Sequence, residues 1–314
     1  MKIKGVVIPC YMGGDITLKL VEDLKNYADF IVLVDDKCPL KTGRKLKEKF
    51  NDPNIEVIFN KENLGVGGAT KKGFDFLLKK QCDIIIKIDA DYQMDPVNIP
   101  KLITPIINNE CDATKGNRFT NAESLLKMPR LRLIGNTFLS YLSKLSTGYW
   151  EIFDPTNGFI AFSSDSLNKI NYSKTDNKYF FETDILFRCS LQNINIKNIS
   201  IDSSYNNHFS SLQPLMEIIP FFIKNLKLLF KRIIYQYFLF DFNVGSVNLI
   251  LSLLFGLISF LYLVYLLIKT NITNIYTSSA EASFFSIVSV ISMQFFLSFI
   301  FYDCSLKVFL RKNK

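Results

Sequence analysis

The sequence predicts an α/β domain built on a mostly parallel sheet, followed by a membrane-spanning helical hairpin. Up to about residue 213, short apolar strand candidates alternate with helical patterns. Beyond that point the chain becomes apolar and aromatic, and its charges are confined to a few short clusters. Alternation of strands and helices is typical of parallel sheets that are covered on both faces. At 314 residues the chain can bury a full core and hold more than one unit.

Apolar runs bounded by turn residues define the strands, and amphipathic stretches between them define the helices. Strands are predicted at Ile3–Cys10, Phe30–Asp35, Ile55–Phe59 and Asp83–Ile88, with a weaker strand at Asp112–Gly116. Helices are predicted at Asp15–Asn26, Thr42–Phe50, Ala69–Lys80, Val97–Asn108 and, further along, from Pro129 to about Thr147. A strand is expected to run out of Asp154–Phe159, and another helix to begin near Phe180–Arg188.

Two carboxyl-terminal segments are free of charge, Val244–Ile268 and Ser283–Tyr302. At about 1.5 Å per residue each is long enough to cross a hydrocarbon core of about 30 Å, so spans are predicted at 244–268 and 283–303. Lys and Arg cluster before the first span and after the second, whereas the intervening loop offers only Lys269. The positive-inside rule then predicts a multi-pass protein of the cytoplasmic membrane, with both termini and the domain of residues 1–213 in the cytoplasm. No signal peptide is expected, because the apolar run after Met1 is short and leads into a strand.

Residues 214–240 are predicted to form amphipathic helices that lie in the headgroup plane, broken or restarted at Pro220. A surface helix packed on the preceding domain is the alternative. The formal net charge of +8 is concentrated near this region, which favours contact with anionic lipid over nucleic acid. The six cysteines lack metal-type spacing and are interpreted as reduced thiols.

The stretch KIDADYQMDP places Asp89 and Asp91 directly after a buried strand. Two carboxylates in this spacing repel each other unless a cation lies between them, and they suit a hard divalent cation such as Mg²⁺ or Mn²⁺. Helix capping is the competing interpretation. It accounts for Asp95, which precedes Pro96, better than it accounts for the acidic pair.

Three other motifs accompany the acidic pair: VVIPCY in the first strand, VLVDD in the second, and NKENLGVGGATKKGF before a helix. Gly65-Val66-Gly67-Gly68 is not a dinucleotide fingerprint, because it follows the third strand and lacks an acidic partner about twenty residues on. Since ligands of open α/β sheets bind beyond the carboxyl ends of the strands, these motifs are expected to form one site.

Together these motifs resemble a family 2 glycosyltransferase of the GT-A fold. The similarity is to the polyprenyl-phosphate branch, which includes dolichol-phosphate mannose synthase and bactoprenol glucosyltransferases, and it covers essentially the whole chain. The resemblance implies contact with the nucleotide donor for Pro9, Tyr11, Asp35, Asn63, Gly65, Gly67 and Asp89, and a cation site at Asp89, Asp91 and Gln93. It also places Arg118 of GNR near the donor phosphates. Met12 stands where the family has Asn, and Met94 intervenes before Asp95-Pro96.

The resemblance further implies transfer of a sugar, with inversion, from a nucleotide-diphosphate donor such as a UDP-sugar to a polyprenyl phosphate at the cytoplasmic leaflet. The divalent cation and Arg118 would stabilise charge on the leaving nucleoside diphosphate. A phosphate acceptor with a second pKa near 6 is mostly dianionic at neutral pH, so it hardly needs a general base.

Asp154 in DPTNGF is the first candidate for orienting the acceptor or accepting a proton, and Glu182 and Asp184 are the second. A turn before Pro155 and a solvated first helical turn are the respective alternatives. His208, Arg130 and Arg132 are weaker candidates for the acceptor phosphate. In the last span, Ser286, Ser289, Ser292 and Gln294 suit helix–helix contact and make a homo-oligomer plausible.

Three rival functions are distinguishable. Transfer to a hydroxyl of a lipid-linked or cell-envelope glycan would require a carboxylate base. A non-catalytic nucleotide-binding membrane scaffold would have no need of the acidic and basic residues at the strand ends. A nucleotidyltransferase would carry a basic Gly-rich loop after the first strand, whereas CYMGGD contains no cation.

Overall fold

The chain folds into two compact units, Met1–Leu229 and Phe230–Lys314. This computed structural model describes residues 2–119, 130–201 and 214–312; within these ranges the side chains of residues 130–134, 136, 214–218 and 307–312 are not described. His208 lies outside the described residues, and so do the side chains of Arg130 and Arg132.

The first unit alternates strands and helices along its length. Its strands are β1 (Lys4–Cys10), β2 (Phe30–Asp35), β3 (Ile55–Phe59), β4 (Ile84–Lys87), β5 (Ala113–Asn117), β6 (Ile160–Ser163) and β7 (Ile196–Ser200). Its helices are α1 (Asp15–Leu24), α2 (Thr42–Lys49), α3 (Gly65–Lys79), α4 (Ile99–Ile107), α5 (Arg130–Thr147), α6 (Ser164–Lys169) and α7 (Phe181–Leu191). Helix α8 (Pro214–Ile234) follows, and α9 (Val244–Thr273) and α10 (Ser279–Lys312) belong to the second unit.

The strands form one seven-stranded sheet in the order β3-β2-β1-β4-β6-β5-β7. All neighbours are parallel except β6, which runs antiparallel to both β4 and β5. The mostly parallel α/β fold predicted from the sequence is confirmed. Apolar residues line both faces: Ile84 and Ile86 of β4 belong to one buried cluster, and Ile85 belongs to the other.

Helix α3 begins at Gly65, four residues before the predicted start at Ala69. Glycine is a poor helix former, so the sequence pattern places the start after the glycines. In the structure the carboxylate of Asp36 accepts hydrogen bonds from the backbone N–H groups of Leu64 and Gly65, at 2.9 and 2.8 Å. These bonds satisfy N–H groups that a helix start leaves unpaired, and they compensate for the low propensity.

Helix α8 continues through Pro220, which the sequence predicted to break it. Proline removes a single N–H donor, and here it lies in the second turn, where the loss does not interrupt the rest of the helix. Within the first unit, α8 packs on the domain: Lys224 Nζ lies 2.6 Å from Asp176 Oδ2, and Ser146 Oγ donates to Asn225 Oδ1 at 2.7 Å.

The second unit contains two helices that are long and apolar enough to cross a membrane, Val244–Thr273 and Ser279–Leu306. Serines join them: Ser259 and Ser289 are hydrogen-bonded at 2.6 Å, and Ser292 Oγ donates to the carbonyl of Ser252 at 2.9 Å. The small polar face that the sequence assigned to helix–helix contact is therefore used within the hairpin. Ser289 and Ser292 give no separate basis for self-association.

An ion pair ties the segment before the hairpin to the second long helix. Arg232 donates to both carboxylate oxygens of Asp303, at 2.7 and 3.0 Å, and Tyr237 Oη donates to Asp303 at 2.6 Å. All three side chains are buried, so the charge on Asp303 is neutralised where α10 would otherwise present it to an apolar environment.

Candidate active site

The predicted site residues lie at one edge of the sheet, where the parallel strands β1, β2 and β4 end. Cys10 is paired with Asp35, and Val7 is paired with Lys87, so the loops after these strands emerge side by side. Tyr11 follows β1 and is exposed, whereas Pro9 lies buried within the strand. The acidic loop after β4 therefore lies at the edge of the sheet where the sequence predicted the site.

Lys87, the last residue of β4, has a fully buried side chain. Its Nζ donates to Asp89 Oδ1 at 2.6 Å, to Glu182 Oε1 at 3.0 Å and to the carbonyl of Gly158 at 3.4 Å. The two carboxylates outweigh the opposing effect of burial and raise the pKa of Lys87, so the ammonium is charged at all physiological pH values. Sequence reasoning missed this residue. Its only signal is a lysine that ends an otherwise apolar strand, two positions before the first aspartate.

Asp91 differs from Asp89 because it is exposed, whereas Asp89 is partly buried. Its Oδ1 accepts a hydrogen bond from the backbone N–H of Gln93 at 3.1 Å. Within the described residues no salt bridge to Asp91 is found. Partial desolvation and the nearby charge of Asp89 raise the pKa of Asp91, while Lys87 and Arg118 oppose that shift. These four charged groups are therefore close enough to act on one another.

The acidic loop fits a divalent cation that also binds substrate phosphates. In the part of the chain that the structure describes, no cluster of three or more His, Cys, Asp or Glu side chains could hold a metal alone. Mg²⁺ is typically held by one or two carboxylates, with waters and phosphate oxygens completing its shell. Among the described residues Asp91 Oδ2 accepts no hydrogen bond, so it is the oxygen that could take this role. Asp89 has one oxygen on Lys87 and the other packed against Gly158.

Arg118 and Asp154 form a second charged unit beside the acidic loop. Arg118 Nε donates to Asp154 Oδ2 at 2.8 Å, and Nη2 donates to Oδ1 at 3.0 Å. Asp154 is buried, and its Oδ2 also accepts from the backbone N–H of Arg118 at 3.3 Å. Both oxygens of Asp154 are thus engaged by Arg118, which is a fixed, bidentate geometry.

Two buried lysines, Lys115 and Lys87, donate hydrogen bonds to the loop between Asp154 and β6. Lys115 Nζ donates to the carbonyl of Asn157 at 2.6 Å, next to the Gly158 carbonyl that Lys87 contacts. Burial lowers the pKa of Lys115 to about 8, although the charges of Glu182 and Asp154 oppose the shift. A Cβ atom at Gly158 would lie 2.0 Å from Asp89 Oδ2, so only glycine fits between the acid and the loop.

Glu182 and Asp184 lie in the first turn of α7 but point to different places. Each helical residue is rotated by about 100° around the helix axis, so side chains two residues apart point in directions that differ by about 200°. Glu182 is buried on Lys87, whereas Asp184 Oδ2 accepts from the backbone N–H of Asp176 at 2.8 Å. The structure therefore joins Glu182 to Asp89 through Lys87, whereas Asp184 binds the Asp176 backbone and lies 3.4 Å from Arg188 Nε.

The residues predicted to meet the nucleotide form a hydrogen-bonded frame next to this edge. Asp35 is buried and accepts from the backbone N–H groups of Cys38 and Gly43, at 2.7 and 2.9 Å. Asn63 Oδ1 accepts from the N–H of Gly65 at 2.9 Å, where Asp36 also binds. Asp35 therefore shapes the loop into α2, and Asp36 and Asn63 shape the start of α3.

Gly65 and Gly67 allow another backbone to approach the start of α3. A Cβ at Gly65 would lie 2.5 Å from the carbonyl oxygen of Asn177, and one at Gly67 would lie 2.3 Å from that of Asp176. Gly65 also has a φ of 83°, which favours glycine. The glycine motif thus packs the start of α3 against the segment that leads into α7.

A mostly parallel sheet with an acidic loop and a clamped arginine at one edge defines a GT-A-type glycosyltransferase architecture. Glucosyl-3-phosphoglycerate synthase from Mycobacterium tuberculosis, crystallised with Mn²⁺ and UDP, shares this fold with a TM-score of 0.51 and 17% identity, over 74% of this chain and 80% of that chain. The Glycosyl transferase family 2 domain matches residues 5–170, and the chain belongs to that family.

Two relatives have names that place them in the polyprenyl-phosphate branch, which agrees with the resemblance seen in the sequence. The UDP-N-acetylglucosamine–dolichyl-phosphate N-acetylglucosaminyltransferase of Methanococcus voltae is 29% identical over 66% of this chain and 88% of its own length. The undecaprenyl-phosphate mannosyltransferase of Micrococcus luteus is 27% identical over 58% of this chain and 75% of its own length.

Proposed function

We propose that this protein transfers a sugar from a nucleoside-diphosphate donor, a UDP-sugar, to a polyprenyl phosphate at the cytoplasmic face of the membrane. A phosphate oxygen of the acceptor attacks the anomeric carbon, the bond from that carbon to the donor's β-phosphate oxygen breaks, and the nucleoside diphosphate leaves. A single displacement of this kind inverts the anomeric configuration. The names of the relatives from Methanococcus voltae and Micrococcus luteus support the acceptor class.

The proposal depends on how the carboxylates of Asp154 and Glu182 are paired. Asp154 is held on both oxygens by Arg118, and Glu182 is held by buried Lys87. A hydroxyl acceptor would require a carboxylate base that can take up its proton. Neither Asp154 nor Glu182 is an unpaired carboxylate of that kind. A lipid phosphate is mostly dianionic at neutral pH and attacks without such a base. The arrangement therefore favours a phosphate acceptor over a glycan hydroxyl.

The side chains of the site are then needed to bind the donor and to stabilise the charge on the leaving nucleoside diphosphate. Asp91, with Asp89 behind it, would hold a divalent cation against the donor pyrophosphate, and the cation would offset the charge that develops on the leaving group. Arg118, oriented by Asp154, supplies a fixed guanidinium for the same phosphates. Asp35, Asn63 and the exposed ring of Tyr11 frame the nucleotide side of this edge.

Attachment to the membrane is proposed to involve α8 as well as the hairpin. Within the first unit, Lys224 and Asn225 face the domain, whereas Ile219, Phe222 and Ile223 are exposed. Phe138 of α5 is also exposed and stacks on Phe222, with ring centroids 6.5 Å apart. An exposed apolar surface of this kind suits insertion into the headgroup region. The basic clusters that flank the hairpin favour cytoplasmic termini.

A direct test uses the full chain in lipid nanodiscs with Mn²⁺ and a panel of radiolabelled UDP- and GDP-sugars. Undecaprenyl phosphate should become labelled with at least one donor, and mild acid should release the sugar, because a glycosyl phosphodiester is acid-labile. Release of label only by a glycosidase would instead indicate transfer to a hydroxyl. Absence of any lipid product across the panel would contradict the proposal.

A further inference from the structure

Lys87 connects the three segments that carry the candidate catalytic groups. Its ammonium has three hydrogens, and each has an acceptor: Asp89 in the loop after β4, Gly158 in the loop after Asp154, and Glu182 in the first turn of α7. The side chain has no contact with solvent, so the ammonium itself does not reach a substrate. Any influence of Lys87 on the reaction must pass through the groups that it holds.

The strand pattern explains why a lysine at this position points inward. Side chains alternate between the two faces of a strand, so Lys87 shares a face with Ile85. Ile85 belongs to the buried cluster that contains Phe181 and Ile185 of α7. Lys87 therefore extends beneath the first turn of α7, where Glu182 points down toward the sheet. The ammonium lies between one carboxylate from that helix and one from the acidic loop.

We propose that Lys87 is a positioning residue: it binds Asp89 and Glu182 on one ammonium and so leaves Asp91 as the carboxylate that receives the donor's cation. This inference rests on the proposed function. Asp89 cannot turn freely toward a cation, because one oxygen is bound by Lys87 and the other is packed against Gly158. The two aspartates of the acidic pair thus have different tasks.

The local charge balance agrees with this division. Lys87 Nζ lies 2.6 Å from Asp89 and 3.0 Å from Glu182 and offsets the negative charge of these two carboxylates, whereas Asp91 forms no ion pair among the described residues. Without Lys87, Asp89 Oδ1 would be released and its negative charge would no longer be offset, so Asp89 could join Asp91 on the cation, which would bind more tightly and resist release with the product. Lys87 therefore sets both the direction and the strength of cation binding.

The test compares Lys87→Met with the wild-type full chain in nanodiscs. Binding of Mn²⁺ alone is followed by the loss of the free-ion signal in electron paramagnetic resonance, and turnover is measured with the lipid acceptor. We expect Mn²⁺ affinity to rise about tenfold, because a nearby positive charge has been removed. We expect kcat to fall about tenfold or more, because Asp89 and Glu182 lose their fixed positions. A lysine with only a structural role would not make the two quantities move in opposite directions.

Two further variants guard against loss of folding. Lys87→Met takes the ammonium from Asp89 and Glu182, so Lys87→Met/Glu182→Gln removes the buried one of these two charges and should recover thermal stability. Asp89 Oδ1 stays released from Lys87 in the double variant, so Mn²⁺ affinity should remain above that of the wild type. Lys87→Arg retains the positive charge and should bind Mn²⁺ nearly as the wild type does. The matched control is Lys79→Met, at an exposed lysine in the last turn of α3, which should change neither quantity.

The inference is overturned if Lys87→Met and the double variant bind Mn²⁺ no more tightly than the wild type, or if their turnover stays within about twofold of it. The Mn²⁺ measurement needs neither donor nor acceptor. If the wild type makes no lipid product, the proposed function fails, while the effect of Lys87 on cation binding is still decided by that measurement.

Discussion

Arg118 and Asp154 are joined by two parallel hydrogen bonds, of 2.8 and 3.0 Å, although 36 residues separate them in the chain. Asp154 is buried behind the guanidinium, so it orients Arg118 and has no free oxygen directed at a substrate. This geometry separates two roles that the sequence left open for Asp154, positioning and proton acceptance.

A double-mutant cycle distinguishes these roles. Arg118→Ala should lower kcat by about a hundredfold to a thousandfold, because a fixed positive group at the leaving phosphates is lost. Asp154→Asn should lower kcat by about a hundredfold, because Arg118 is no longer held in place. If Asp154 acts through Arg118, the double variant should be no slower than Arg118→Ala alone. Multiplied losses, measured in variants whose thermal unfolding shows a folded domain, would instead indicate an independent role for Asp154.

Asp91→Asn should abolish turnover and leave the fold intact. We expect kcat to fall about a thousandfold, since the cation loses its exposed ligand. Stability should change by less than about 0.5 kcal/mol, because Asp91 is exposed and forms no ion pair among the described residues. Asp95→Asn, in the same loop, is the control: Asp95 Oδ1 caps the following helical turn through the Val97 N–H, and Asn caps equally well. Turnover that persists in Asp91→Asn would remove Asp91 from the cation site.

Gly158→Ala should disturb the acidic loop through sterics alone. The added Cβ would lie 2.0 Å from Asp89 Oδ2 and 2.6 Å from Lys87 Nζ, so the loop must shift. We expect a loss of about 1–3 kcal/mol in stability, read as a lower Tm, together with reduced turnover. Gly135→Ala is the matched control, because a Cβ at this exposed helical position meets nothing within 4 Å and should stabilise α5 slightly. Equal Tm values for the two variants would contradict the close packing at Gly158.

The buried Lys115 should make stability depend on pH in the alkaline range. Its pKa of about 8 in the folded protein lies below the ordinary value of 10.5, so between these values the unfolded chain binds more protons than the folded chain. Stability therefore rises with pH through this window. The stability of the wild type relative to Lys115→Met should increase by about 2 kcal/mol between pH 7.5 and 9.5. Thermal unfolding of both proteins checks this, since the other titrating groups are common to both. The lowered pKa would be contradicted if the free energy of unfolding of the wild type minus that of Lys115→Met stays constant or falls as the pH rises.

The features that could be predicted from the sequence are those with a local pattern. The strands β1 to β4, the two membrane-length helices and the position of Asp89 and Asp91 beyond a buried strand follow from hydrophobic periodicity and turn residues. The start of α3 was predicted too late, because its glycines are explained by a distant segment, Asp176–Asn177, that packs against them.

Partners across the sheet could not be predicted in the same way. Lys87 and Lys115 read as ordinary strand-end lysines, and nothing local shows that both are fully buried. Apart from Asp89, their acceptors come from distant parts of the chain, namely the loop before β6 and the first turn of α7. Strand β6 lies between β4 and β5, which places that loop next to both lysines. Sequence reasoning therefore named most acids of the site and Arg118, but not the two buried lysines that hold Asp89, Glu182 and the loop before β6.

Lys87 and Glu182 are in contact although they are 95 residues apart in the chain, so the ribosome adds them at different times. Strand β4 is translated well before α7. Until α7 has been made, Asp89 is therefore the one carboxylate of this pair that is available to Lys87. The segment matched by the family ends at residue 170 and lacks both Glu182 and β7. The charge cluster around Lys87 is thus complete only after α7 has been made, and a chain that ended at residue 170 would lack Glu182.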